Sequence, residues 1–188
     1  MFDVQVKTET SVNRASTQVV GVVIGALAVA VGSHLSVPIP GTPVPMTFQV
    51  PMIILVGALL GPKLGALSMG LYLTMGAAGL PVFSPFGAPG FARLIGPTGG
   101  YLLAYPVAAA LMGSIAGKDF SWAKLSLGGL AAMAAIHLGG IAQLTILTGE
   151  AGTAVLLGSL PFLAGDLLKT AFVVLVLRKL HGMRGAQL

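Results

Sequence analysis

An acid and a base stand inside a long apolar run near the C-terminus: Asp166 and Lys169 within PFLAGDLLKTAFVVLVLRK, residues 161–179. On an α-helix, positions three apart share a face, so the two side chains are close enough to touch. At 1.5 Å per residue, in a span entered near Leu160, Asp166 lies roughly 10 Å below the bilayer surface, out of reach of water from the lipid side. A charge facing hydrocarbon costs at least about 2.5–3.5 kcal/mol, so charged residues within spans turn to the bundle interior and mark a site there. Asp166 and Lys169 are therefore expected on the wall of a polar pocket. Two roles stay open. The pair either neutralises itself and keeps neighbouring helices in register, or it offers an acceptor and a triple donor to a polar, ring-shaped ligand.

Apolar runs of near-span length recur at residues 17–32, 48–60, 64–80, 96–115 and 125–147, with the last beginning at 160. The chain is 55% hydrophobic and 8% charged, where a soluble domain is about a quarter charged. The expected fold is an all-α integral membrane protein, a compact bundle of six transmembrane helices with ordered extracytoplasmic loops. Residues 17–181 form its membrane domain, between cytosolic tails at 1–16 and 182–188. The net charge of +5 comes from only ten basic residues, which is no nucleic-acid footprint. With no cysteine, disulfides and thiolate metal sites are excluded, and neither a metal nor a cofactor is expected. The polar segment 1–18 carries both signs of charge, and no small-residue cleavage site clearly follows the apolar stretch 19–31, so the first span reads as retained.

Along the chain, Gly21 and Gly25 stand four apart, as do Ala26 and Ala30. Such small residues let another helix come close, either within the bundle or from a second membrane protein. Four prolines and a glycine in residues 33–49 forbid a continuous helix, which predicts an ordered external loop or a re-entrant segment. Gly61-Pro62-Lys63 is a tight turn between the second and third spans. Residues 81–100 form a second long loop whose Phe83, Phe86, Phe91 and Leu94 argue for order, and it is expected to pack as a lid over the pocket. At its end GPTGGY, residues 96–101, brings Gly96, Thr98 and Tyr101 to a helix N-terminus, where exposed amides suit a carboxylate or another acceptor. The lysine and hydroxyl of a nucleotide-binding loop are missing. Residues 116–124 read as a polar turn with Trp122 as an interfacial anchor, and TGEAGTAVLLGS, residues 148–159, as a loop.

Six spans put both termini on one side. Lys7, Arg14, Lys63, Lys118, Lys124, Arg178, Lys179 and Arg184 all fall on that side, against Arg93 alone in an opposite loop. This bias marks the termini as cytosolic and the pocket as opening outward, which reads as an uptake site. Arg93 suits a ligand carboxylate as a charge-assisted fork; its plain alternative is a solvated loop residue or a lipid-headgroup partner. Gln49, Tyr101 and Tyr105 offer hydrogen bonds or a stacking surface, with packing and one local hydrogen bond the equal alternative. His137 in the fifth span invites a catalytic reading, but no serine or acid in the same register supports a dyad, and an interhelical hydrogen bond is favoured. His34 is a loop residue without an assigned partner.

PVPMTFQ at 43–49, LLGPKLGALSMGLYLTMGAAGLPVF at 59–83, LIGPTGGYLLAYP at 94–106 and PFLAGDLLK at 161–169 together resemble the BioY family, the biotin-binding S components of energy-coupling factor (ECF) transporters. The likeness runs over about residues 20–180. It implies a six-helix protein of the bacterial plasma membrane that binds biotin from outside and works with a transmembrane coupling subunit and two cytosolic ATPases. It also implies that Asp166 and Lys169 meet the ureido head of biotin, and that an AxxxA pattern on the first helix, Ala26 and Ala30 beside Gly25, docks on the coupling subunit. The region 84–91 carries over no ligand contact. The expected function is that of a transporter subunit with no chemistry of its own. Its alternatives are a solitary secondary carrier and, more distantly, an intramembrane enzyme using His137.

Overall fold

The computed structural model describes residues 2–117 and 119–185. It is helical apart from one pair of two-residue strands. In chain order the elements are α1 (Phe2–His34), β1 (Ser36–Val37), β2 (Met46–Thr47), α2 (Gln49–Ala77), α3 (Ala92–Ile95), α4 (Gly99–Ala116), α5 (Trp122–Thr148), α6 (Ala151–Gly158) and α7 (Leu160–Gly185). The strands pair antiparallel, Ser36 opposite Thr47 and Val37 opposite Met46, so the proline-rich segment 33–49 is an ordered hairpin loop. The segment read as a polar tail is helical from Phe2 and continuous with the first span, and residues 186–188 of the C-terminal tail lie outside the described residues.

Among the described residues, five helices are long and apolar enough to cross a membrane: α1 from Arg14, α2, α4, α5 and α7. The sequence predicts six spans, and the difference lies in α2, which contains both the second and the third. Gly61, at φ 78° and ψ 177°, breaks its helical backbone just before Pro62. Beyond this break the chain turns back. The Gln49 side-chain amide donates to the Tyr72 hydroxyl at 2.6 Å, whereas 23 residues of straight helix would separate them by about 35 Å. Gly65 likewise lies against Gly57, where an added methyl would come within 3.1 Å of the Gly57 Cα. Thus α2 is a hairpin of two antiparallel arms.

Lipid is as apolar as leucine, so helices in a bilayer associate through close packing and interhelical hydrogen bonds. Here α4 sits in the middle, against the α2 hairpin on one side and α5 on the other. A methyl on Gly57 would come within 2.6 Å of the Ala109 carbonyl oxygen, and one on Gly139 within 2.5 Å of the Gly100 carbonyl oxygen, so backbone meets backbone at both crossings. Gly25, Ala26 and Ala30 of α1 are buried, and a methyl on Gly25 would lie 2.6 Å from Ser68 Oγ. They turn inward against α2, while Val19, Val20, Ile24, Leu27 and Val31 form the exposed face of α1.

Contacts define two ends of the bundle. At one, Gly113 of α4 abuts the Gly61–Pro62 turn, and Arg178 near the end of α7 donates to the Phe120 carbonyl at 3.4 Å and lies 6.0 Å over Trp122. Lys63, Lys124 and Lys179 gather at this end; Lys118 and the side chains of Lys7 and Arg184 lie outside the described residues. At the other end are the strand hairpin, the 78–98 loop and α6. Residues 148–159, expected to form a loop, contain the eight-residue helix α6. The terminal carbonyls that such a short helix leaves open are taken by side chains from elsewhere: Thr42 Oγ1 donates to the Leu157 oxygen at 2.6 Å and the Tyr101 hydroxyl to that of Gly158.

Candidate ligand-binding site

At the end away from Lys63, Lys124 and Lys179, a cavity opens between the start of α2, α4, α5, α7 and the 78–98 loop. Its charged wall is α7. Asp166 is 6% exposed, because the face of α7 carrying Thr170, Val173, Val174 and Leu177 is the one packed into the bundle. Asp166 Oδ1 lies 2.6 Å from Lys169 Nζ, and the ammonium also donates to the Thr47 carbonyl at 2.9 Å. Asp166 lines the cavity and Lys169 does not. The lysine stands behind the carboxylate and ties it to the strand hairpin.

The other carboxylate oxygen is also engaged. His137 Nε2 of α5 is 3.2 Å from Asp166 Oδ2, and His137 Nδ1 is 3.0 Å from Ser159 Oγ, at the joint between α6 and α7. An ionised carboxylate only accepts, so Nε2 carries a proton toward it. Neither partner of His137 shares its helix, which is why no register on α5 revealed them. The string resembles a Ser-His-Asp triad, but Ser159 is buried and is not on the cavity wall.

Arg93, predicted as a solvated residue or a carboxylate ligand, is buried at 5% exposure. Nε donates to the Ala88 carbonyl at 2.9 Å and one terminal nitrogen to the Ser84 carbonyl at 2.5 Å; the other donates to the Phe86 carbonyl. Burial pulls its pKa below the usual arginine value, opposed by the neighbouring Tyr72. The guanidinium thus staples the 84–88 loop while still lining the cavity. Three of its five N–H groups are used, leaving two for a ligand. The loop is also tied down by Ser33 Oγ donating to the Val82 carbonyl at 2.6 Å. Phe83 seals it at the aromatic wall, 5.4 Å and edge-on from Tyr72, which stacks on Tyr105 at 6.3 Å.

Of the remaining predicted residues, Thr98, Tyr101 and Gln49 line the cavity and Gly96 does not. The Gly96 carbonyl instead accepts from Gln143 Nε2 at 2.6 Å, which also reaches the Leu94 carbonyl at 3.0 Å, so Gln143 of α5 holds the turn before α4. Both ends of the Gln49 amide are taken within the protein, by Tyr72 and by Thr47 Oγ1. Sequence reasoning did not place Thr47, Ser84, Phe162 or His137 in the site, and all four line the cavity, as does Phe83 of the loop expected to pack over it. A histidine within an apolar span was the one available signal.

The cavity therefore joins an anchored carboxylate, a surplus guanidinium and aromatic walls. It suits a ligand with N–H donors on a polar head and one negative charge elsewhere. The model of the BioY family matches residues 6–186. A probable biotin transporter of Pyrococcus horikoshii is 41% identical over 153 residues, covering 81% of this chain and 89% of its own length. The biotin transporter of Thermotoga maritima is 36% identical over 156 residues, with 81% and 90% covered. A crystal structure of the S-component for biotin from an ECF-type ABC transporter superposes with a TM-score of 0.79 at 26% identity, covering 90% of this chain and 93% of that one.

Proposed function

The chain belongs to the BioY family, and on that premise we propose that it is the biotin-binding S component of an ECF-type uptake transporter. The observation that carries the reading is the cavity wall itself: a buried carboxylate held by Lys169 and His137, facing a volume that Arg93 also lines. In this reading Asp166 accepts an N–H of the ureido ring and Lys169 fixes Asp166 from behind. Arg93 meets the valerate carboxylate with its unused donors. Thr98, Tyr101 and Gln49 complete the polar wall, and Gly96 shapes the turn that carries Thr98. Biotin is cargo here and not a cofactor. The protein is a substrate-binding subunit and not an enzyme, in keeping with relatives that are transporters.

The same reading sets the protein in the cell membrane. α1, each arm of α2, α4, α5 and α7 make six passes, with the cavity outside and the tails at 1–16 and 182–188 in the cytosol, in accord with the lysines gathered at the far end. A transmembrane coupling subunit and two ATPases drive release inside, with α1 as the docking helix. Because Gly25, Ala26 and Ala30 pack against α2, their docking role rests on the family resemblance.

Isothermal titration of the detergent-purified chain with biotin, beside mass spectrometry of any small molecule carried through purification, tests the binding claim. Stoichiometric binding of intact biotin is expected; folded protein that binds none ends the reading. In proteoliposomes, biotin uptake is expected only with the coupling subunit, the ATPases and ATP. Uptake by the chain alone marks a solitary carrier.

A further inference from the structure

We infer that His137 is a positioning residue that sets the selectivity of this site, acting through the second oxygen of Asp166. The inference rests on the cavity being a biotin site and goes beyond it. A carboxylate turns easily about its last side-chain torsion, which is broad and roughly two-fold. Lys169, at 2.6 Å from Oδ1, fixes one oxygen and leaves the plane free to swing about it. His137 Nε2, at 3.2 Å from Oδ2, removes that freedom.

The ring is itself held on two sides. Ser159 Oγ is 3.0 Å from Nδ1, and Tyr101 meets the imidazole edge-on at 6.4 Å, with its own hydroxyl bonded to the Gly158 carbonyl beside Ser159. One polar string thus runs from the α6–α7 joint through His137, Asp166 and Lys169 to the Thr47 carbonyl. With both oxygens engaged, the lone pairs left on Asp166 point in a set direction. A ligand N–H that meets them is accepted, and a ligand lacking it leaves a buried carboxylate short of a donor, the situation in which sites discriminate most strongly.

The test uses the near-isosteric pair His137→Gln and His137→Asn in the full-length protein. A glutamine amide nitrogen reaches the position of Nε2 and keeps the bond to Asp166; an asparagine amide reaches only the position of Nδ1 and loses it. His137→Gln is expected to bind biotin within about 3-fold of wild type and His137→Asn to bind about 10- to 100-fold more weakly, the worth of one hydrogen bond to a charged group. His137→Asn should also narrow the preference for biotin over analogues methylated on either urea nitrogen. On an Asp166→Asn background it should add less than about 3-fold, since both changes act on one contact.

Wild-type affinity and selectivity in His137→Asn, equal weakening by Gln and Asn with selectivity unchanged, or full additivity with Asp166→Asn would overturn the inference while leaving the biotin reading intact. A wild-type protein that binds no biotin overturns both. Should His137→Asn not fold, Ser159→Ala releases the ring without touching Asp166. Reduced affinity and selectivity are expected there, and an unchanged protein counts against the inference.

Discussion

At the scale of single residues, the pair on α7 was legible because helical spacing alone sets which side chains share a face. Asp166 and Lys169 are three apart, and their charged atoms meet at 2.6 Å. What each does with its other contacts was not legible. Replacing Asp166 by Ala leaves Lys169 with only the Thr47 carbonyl, a largely buried ammonium without a counter-charge, at a cost of about 3–5 kcal/mol. A lowered thermal midpoint in detergent and loss of biotin binding by calorimetry are the expected outcomes, and wild-type values in both would refute the placement. Arg93→Lys tests the staple. An ammonium cannot reproduce a planar fork spread over three carbonyls, so hydrogen exchange across residues 84–88 should quicken by at least about 10-fold. That role was hidden in the sequence, since backbone carbonyls carry no residue label.

At the scale of elements, the apolar runs fixed where helices form, and turn chemistry fixed where α2 folds back. Gly61 has open space around its absent side chain and a backbone reserved for glycine. Gly61→Ala therefore isolates backbone strain, with an expected loss of about 1–3 kcal/mol read from thermal melting. Gly100→Ala should cost more, because its methyl would overlap the Gly139 carbonyl where α4 crosses α5. A Gly61→Ala protein as stable as wild type would show that the hairpin turn is not needed. The helix α6 escaped sequence reading for a physical reason: eight residues carry too little periodicity, and two hydroxyls distant in sequence, Thr42 and Tyr101, bond its last carbonyls.

At the scale of the whole molecule, the question is whether each arm of α2 makes its own pass. The chain has no cysteine, so single cysteines placed at exposed Lys63, Lys179 and Ala88 report their side of the membrane without background. With two passes in α2, Lys63→Cys and Lys179→Cys react with an impermeant reagent from the cytosolic side, and Ala88→Cys reacts from outside. Labelling of Lys63→Cys from outside would mean that the hairpin does not span. Sequence by itself determined that this chain is a bundle of apolar helices with one charged pair turned inward, and that its basic residues outside the spans fall on one side, Arg93 excepted. Those conclusions need only the cost of charge in hydrocarbon and the period of a helix. Tertiary structure alone decided that Lys169 stands behind Asp166, that Arg93 grips its own loop and that His137 closes the carboxylate from α5. Each depends on groups 5 to 122 residues apart meeting, and no local spacing encodes such a meeting.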